Sequence, residues 1–261
     1  MLAGIKEILL ITNPPDKDSF KNLLGDGSQL GLKIEYSIQE NPEGLAQAFL
    51  IGEEFIQDSN VALTLGDNLF HGNELVTQLK FANSQRNGAT IFAYRVNNPS
   101  SYGIVDFDNN GNVLNLQEKP SKPLSNYAVT GLYFYDNTVV ERAKLIQPSF
   151  RNELEITDLN KSYLESGDLK VKLLGRGLAW LDTGTFDSMN SAGNYIRTLQ
   201  NRQGMKISCP EEIAWRLKRI DDDQLRSLAE PLLPSGYGKY LLRLLEESES
   251  EHIQLERGLK K

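Results

Sequence analysis

Short apolar runs, each closed by turn residues and followed by a helical stretch, fill the first hundred residues of the chain, and that alternation restricts it to an α/β fold. Lys6 to Asn13 (KEILLITN) reads as a buried strand ended by Asn13, Pro14 and Pro15. A helical stretch from Asp16 to Leu24 stops at Gly25 and Gly27, and Leu32 to Gln39 alternates with the period of a strand. Gly44 to Ile56 has helical spacing, Val61 to Leu65 is a strand ending at Gly66-Asp67-Asn68, and a helix from Asn73 to Gln85 precedes a strand from Ala89 to Val96. The pattern changes near Asn97. Tyr102 to Asp108 and Asn112 to Glu118 flank Asn109-Asn110-Gly111, a turn whose residues tolerate positive φ, so antiparallel pairing is expected there and in Tyr127 to Tyr135. Helices return at 138–146 and 154–165, with a strand at 169–174. From Thr185 onward the chain reads as helical, in pieces near 186–202, 210–219, 222–230 and 236–250, and the charged tail from Glu246 is expected to fray.

Composition excludes several classes. Over 261 residues there are 28 lysines and arginines against 35 aspartates and glutamates, a net charge of -7 that repels nucleic acid and anionic lipid. Cys209 is the single cysteine, so neither an internal disulfide nor a thiolate zinc site is expected, which suits a reducing cytoplasm. No apolar stretch approaches the ~18 residues of a membrane span, and no basic segment with a long apolar run behind it opens the sequence. His71 and His252 have no ligand spacing around them, and no Ser-His-Asp or Cys-His arrangement suggests a hydrolytic nucleophile.

The chemistry-bearing residues collect at strand ends. Asp67 follows a buried strand, where open α/β sheets place their ligands; it is either a Mg²⁺ ligand or a turn and helix cap. Asp182, in Ala179 to Thr185 (AWLDTGT), offers a second carboxylate or an N-cap. Glu118 and Lys119 end another strand: a sugar hydroxyl and a phosphate contact on one reading, a solvated strand end on the other. Gly44 leaves room for a flat base or simply starts a helix, and Gln39 carries the donor and acceptor that would read a pyrimidine edge. Arg151 can pair with a phosphate, or with Glu153 or Glu155. The first βα turn, Asn13-Pro14-Pro15-Asp16, is a poor phosphate cradle because two prolines remove two backbone donors.

The order and spacing of these segments are more specific than any one of them. Gln39 with Asn41 to Ala48 (NPEGLAQA), Leu65 to Asn68 (LGDN), Tyr102-Gly103, Glu118-Lys119-Pro120, Asn126 to Tyr133 (NYAVTGLY), Glu153 to Asp158 (ELEITD) and Trp180 to Gly184 (WLDTG) resemble the sugar-1-phosphate nucleotidylyltransferases. The likeness continues through Ser208 to Ala214 and Tyr237 to Tyr240, covers nearly the whole chain, and is greatest toward members that use dTTP and glucose 1-phosphate.

That resemblance implies a Rossmann-like mixed, mostly parallel sheet with helices on both faces and an antiparallel sugar-binding insertion. Residues 1–200 would form the core, and 201–261 a helical oligomerisation and regulatory region. It implies nucleotidyl transfer from dTTP to glucose 1-phosphate, giving dTDP-glucose and pyrophosphate on the way to dTDP-L-rhamnose. Asp67 and Asp182 match the Mg²⁺ ligands, and Gln39 and Gly44 the thymine contacts. Tyr102, Gly103, Glu118, Lys119, Val129 and Tyr133 match the sugar-phosphate pocket, with Lys119 and Arg151 on phosphates. Family members are homotetramers with a second nucleotide site for feedback inhibition, at which Gly72, Arg176, Glu212, Ile213 and Arg216 fall, with His71 in place of the usual aromatic residue.

One departure stands at the front. The family opens with a strand and a loop of the form L-A-G-G-x-G-T-R-L, whereas Met1-Leu2-Ala3-Gly4 resembles the end of its first long helix. The first βα unit is therefore expected to be missing, from a shortened start or a truly short chain, with two flanking strand edges left open and turnover impaired. The alternatives are an inactive remnant that binds nucleotide sugar or joins full-length subunits, and a relative using UTP or CTP, against which NPEGLAQA argues.

Overall fold

Tyr127–Tyr135 is a run of aromatic, β-branched and small residues, and every side chain from Thr130 to Tyr135 is buried. A strand covered on both faces belongs at the centre of a sheet. The computed structural model, which describes the backbone of residues 1–258 and the side chains of residues 1–248, places it there. The elements begin with β1 (Glu7–Thr12), α1 (Lys17–Leu24), β2 (Lys33–Ile38), α2 (Gln47–Ile51), α3 (Glu53–Ile56), β3 (Val61–Thr64), β4 (Asn68–Gly72), α4 (Leu75–Ser84) and β5 (Ala89–Arg95). They continue with β6 (Ile104–Phe107), β7 (Val113–Gln117), β8 (Tyr127–Tyr135), α5 (Val139–Leu145), α6 (Ile156–Glu165), β9 (Leu169–Leu173) and β10 (Leu178–Asp182). The helices α7 (Phe186–Gln203), α8 (Pro210–Arg216), α9 (Asp222–Ala229) and α10 (Tyr237–Gly258) complete the chain.

The main sheet has the order β7-β6-β8-β5-β9, with β3 also on β8. It is mixed, as the resemblance implies. β5 and β9 run parallel, and β1 and β2 form a separate pair in which Lys33 bonds to Lys6 and Gln39 to Thr12, so they too run the same way. The antiparallel character of the insertion reaches the centre of the sheet, because β8 returns beside β5, β6 and β3. One edge each of β1 and β3 has no strand partner among the described residues.

Three local expectations change. Asn68–Gly72, which the sequence pattern left unassigned, is a strand antiparallel to β10; its partner is remote in sequence, so nothing local announces it. The single helix expected over 44–56 is two short ones, broken at Gly52 and starting only at Gln47, because Gly44 has a φ of 101° that no helix accepts. The tail from Glu246 continues α10 as helix to Gly258; the side chain of His252 lies outside the described residues.

By its internal contacts the chain divides into two units. One combines Met1–Ile8 and Asp18–Glu35 with the stretch from Asn194 onward; the other holds Leu9–Lys17 and Tyr36–Gly193. The first has a core of Trp215, Ile220, Leu225, Leu241 and Leu245, to which Leu30 contributes from the N-terminal part. The second buries Phe49, Ile91, Tyr133, Tyr135, Leu159 and Tyr163, with Phe49 edge-on to Tyr135 at 5.2 Å. Each such side chain contributes about 1.5–3 kcal/mol by leaving water. Among the described residues no helix is long and apolar enough to cross a membrane.

The end of β8 is pinned by Asp136, which is 8% exposed. Gly88 N–H donates to its Oδ2 at 2.6 Å, and the Thr138 N–H and hydroxyl and the Tyr163 hydroxyl donate to its Oδ1. Burial opposes the charge, but these bonds outweigh it and hold the carboxyl below its ordinary value of 3.8. A carboxyl lowered on folding stabilises the protein above its unfolded pKa, and that contribution is lost as pH falls through the folded value. Asp136→Asn, which sets an amide against Gly88 N–H, is expected to cost about 1–3 kcal/mol at pH 7. Urea denaturation should show the gap to the unaltered protein narrowing as pH is taken down through and below 3.8.

Candidate active site

The turn from β3 into β4 carries Asp67. Leu65 N–H bonds back to Gly131 of β8, and Asn68 N–H closes the turn on Leu65, so Gly66 and Asp67 stand at its tip. β10 reaches the same place from the other end of the chain, with Asp182 opposite Asn68 in the ladder. The Thr183 N–H and hydroxyl both donate to the Asp67 carbonyl at 2.8 Å, and Gly184 N–H donates to Asp182 Oδ1 at 2.8 Å. The carboxylates converge: a Cβ on Gly184 would stand 3.1 Å from Asp182 Oδ1 and 3.4 Å from Asp67 Oδ2. Asp67 Oδ1 is engaged separately, by Asn68 Nδ2 at 2.8 Å. Among the described residues no group of three or more His, Cys, Asp or Glu stands ready to hold a metal ion. Asp67 and Asp182 each bring a hard oxygen to the neighbourhood of Gly184, and such a pair suits Mg²⁺ when phosphate oxygens and water supply the remaining positions.

Beside this rim lies a second cluster. Thr157, at the start of α6 and 5% exposed, donates its hydroxyl to Glu118 Oε2 at 2.5 Å. The space over Gly103 opens onto the same groups: a Cβ there would meet Thr157 Oγ1 at 3.1 Å and Glu118 Oε2 at 3.4 Å. Gly103 carbonyl accepts from Val129 N–H, and Tyr102 carbonyl from Lys119 N–H. The structure thus brings together Tyr102, Gly103, Glu118, Lys119 and Val129. Lys119 is exposed and has a φ of 39°, a strained conformation for a residue with a side chain. Tyr102 packs against Trp180 at 5.2 Å, and burial, then the Asp182 charge, raises its hydroxyl pKa. Tyr133 is only 3% exposed and belongs to the core, its pKa raised by burial and then by Glu118.

Arg151 is already paired. Its Nε and Nη2 donate to the two oxygens of Glu155 at 3.0 and 2.7 Å, with Glu153 at 3.3 Å and Glu118 at 3.4 Å. Burial opposes the charge on Glu155, but Arg151 and Ser149 outweigh it and lower its pKa. These contacts engage Nε and Nη2, so a phosphate meets the guanidinium through Nη1 or by exchanging one of the carboxylates.

Gln39 donates to the Gly44 carbonyl at 3.3 Å and to Gln47 Oε1 at 2.5 Å, and Gln47 donates on to Glu43. Gly44 has a structural reason to lack a side chain: at its φ of 101°, a Cβ would lie 2.4 Å from the Leu154 carbonyl oxygen and 2.5 Å from its nitrogen. Gly72 faces Gly177 and Leu178 across the ladder, next to exposed Arg176. Glu212, Ile213 and Arg216 lie on α8 in the other unit, where Glu212 accepts from Arg216 Nε at 2.7 Å and from the Tyr240 hydroxyl. Sequence reasoning passed over Thr157 and Asn68 as site residues, although both stand inside the segments ELEITD and LGDN.

The chain matches the family model described as Nucleotidyl transferase over residues 1–198. It is 55% identical to a glucose-1-phosphate thymidylyltransferase of Neisseria meningitidis serogroup A, over 95% of this chain and 86% of the relative. It is 56% identical to one of Mycobacterium tuberculosis, with the same coverage. Among solved structures it resembles a Bacillus anthracis protein described as a glucose-1-phosphate thymidylyltransferase, in complex with a sucrose. The TM-score is 0.66 at 33% identity, covering 72% of this chain and 74% of that one. A UDP-glucose pyrophosphorylase complexed with UDP-glucose shares the fold alone, with a TM-score of 0.64 at 22% identity over 76% of this chain and 83% of that one.

Gly44→Ala puts a methyl group into the Leu154 backbone and is expected to lower stability by at least about 2 kcal/mol. The urea midpoint, with an unchanged slope, measures it.

Proposed function

The chain belongs to the nucleotidyl transferase family, and from that premise we propose that it transfers the thymidylyl group of dTTP to glucose 1-phosphate, giving dTDP-glucose and pyrophosphate. The observation that carries the reading is the approach of the Asp67 and Asp182 carboxylates to the same residue, Gly184, at the end of the β4–β10 ladder. In the transfer, a phosphate oxygen of glucose 1-phosphate bonds to the α-phosphorus of dTTP. The bond from that phosphorus to the oxygen bridging to the β-phosphate breaks, and pyrophosphate leaves with the electron pair.

Asp67 and Asp182 would hold Mg²⁺, which when bound neutralises phosphate charge. Glu118, its orientation fixed by Thr157, accepts a sugar hydroxyl in the space that Gly103 leaves, with Tyr102, Val129 and, behind them, Tyr133 as walls. Lys119 meets the sugar phosphate. Arg151 joins it by releasing a carboxylate or acts through Glu118. Gln39 reads the thymine edge beside Gly44. In the same reading the product feeds dTDP-L-rhamnose formation in the cytoplasm, residues 201–261 serve a homotetramer, and Gly72, Arg176, Glu212, Ile213 and Arg216 take a second, inhibitory nucleotide.

The turn after β1 favours a second reading for a polypeptide made of these 261 residues alone. Asn13-Pro14-Pro15-Asp16 forms a short 3-10 turn in which the Asn13 side chain accepts from Asp16 N–H, and two prolines deprive it of donors for a triphosphate. Such a polypeptide would turn over slowly or only bind nucleotide sugar.

Pyrophosphate release from dTTP, glucose 1-phosphate and Mg²⁺ tests both. Asp67→Asn and Asp182→Asn are each expected to lower kcat at least about a hundredfold; an Asp67→Asn protein at the unaltered rate removes the metal role. Turnover equal to that of the Mycobacterium tuberculosis relative would exclude the impaired reading.

A further inference from the structure

Asn68 has a carboxamide that admits one orientation. Its Oδ1 accepts two hydrogen bonds, from the Trp180 indole Nε1–H at 2.6 Å and from Gly131 N–H at 3.0 Å. Turned over, the amide would set its own N–H groups against both donors. The remaining end, Nδ2, therefore points away from Trp180 and Gly131 and donates to Asp67 Oδ1 at 2.8 Å. Gly131 is shaped to this arrangement, since a Cβ on it would lie 2.6 Å from Asn68 Oδ1. One side chain thus joins β8 and β10 to the carboxylate at the tip of the β3–β4 turn.

The geometry points to Asn68 as a positioning residue for Asp67. With Oδ1 of Asp67 tied to the amide, the carboxylate plane is set, and Oδ2 is the oxygen that meets Asp182 Oδ1 about a common point. Asp67 is in an exposed turn, so burial does not select its side-chain rotamer. Asn68 supplies that choice, and Trp180 supplies it to Asn68. The inference rests on the reading of Asp67 and Asp182 as a metal pair. It adds that the ion's affinity depends on a neutral amide that does not touch the ion, since groups that orient a ligand commonly change metal affinity 10–100-fold.

The test is Mn²⁺ binding in the presence of dTTP, followed by electron paramagnetic resonance on proteins whose melting has been recorded. Asp67→Asn is expected to lose the ion. Asn68→Ala is expected to bind it about tenfold more weakly. Trp180→Phe, which keeps an aromatic side chain and removes the indole donor, is expected to weaken binding by a few-fold, and it decides the matter if Asn68→Ala does not fold. A purely structural Asn68 would lower the melting temperature and leave the affinity of the folded protein unchanged. Unaltered Mn²⁺ affinity in folded Asn68→Ala, or failing that in Trp180→Phe, while Asp67→Asn has lost the ion, overturns the positioning role and leaves the metal reading standing. Equal affinity in the unaltered protein and Asp67→Asn overturns both.

Discussion

The candidate site depends on one antiparallel ladder, β4 with β10. These strands are far apart in sequence, and their register sets Asp182 opposite Asn68, one residue from Asp67. Side chains alternate along a strand, so a slip of one residue would send Asp182 to the other face and separate the carboxylates. The register is locked by bonds besides the ladder's own, those of Thr183 to the Asp67 carbonyl and of the Trp180 indole to Asn68. Both locks use residues adjacent to the acids, so the contacts that hold the strands together also set the geometry of the pair.

The neighbouring cluster is organised by charge. Glu118, Glu153 and Glu155 gather around a single guanidinium, and Thr157 adds a neutral donor to Glu118. Carboxylates this close repel unless a cation sits between them. Arg151 therefore has a duty within the protein before any substrate arrives, and Lys119, with its strained backbone, is the more exposed of the two cations.

Much of this was legible in the sequence, for reasons that differ by element. β5 and β8 declare themselves as apolar runs, and the Asn109-Asn110-Gly111 turn fixes the hairpin of β6 and β7. Asp67 and Asp182 could be named because each ends a strand. β4 could not, because a short strand of Asn, Leu, Phe, His and Gly has no pattern of its own and exists through its partner. The helix expected from Gly44 failed because a close approach to Leu154 decides the backbone there. Asn68 has no role legible within LGDN, since its amide's task is set by donors from two other strands.

The discontinuous unit has a consequence for how the protein is made. Met1–Ile8 and Asp18–Glu35 are synthesised well before Trp215, Leu225 and Leu241, with which their unit shares a core. The segment from Tyr36 to Gly193 can assemble while synthesis continues, as units generally do. Leu30 and Leu32 complete their core only when the helices carrying Trp215 to Leu245 have been made. Loss of the residues after Ile220 would take Leu225, Leu241 and Leu245 out of that core and leave Leu30 without most of its apolar partners.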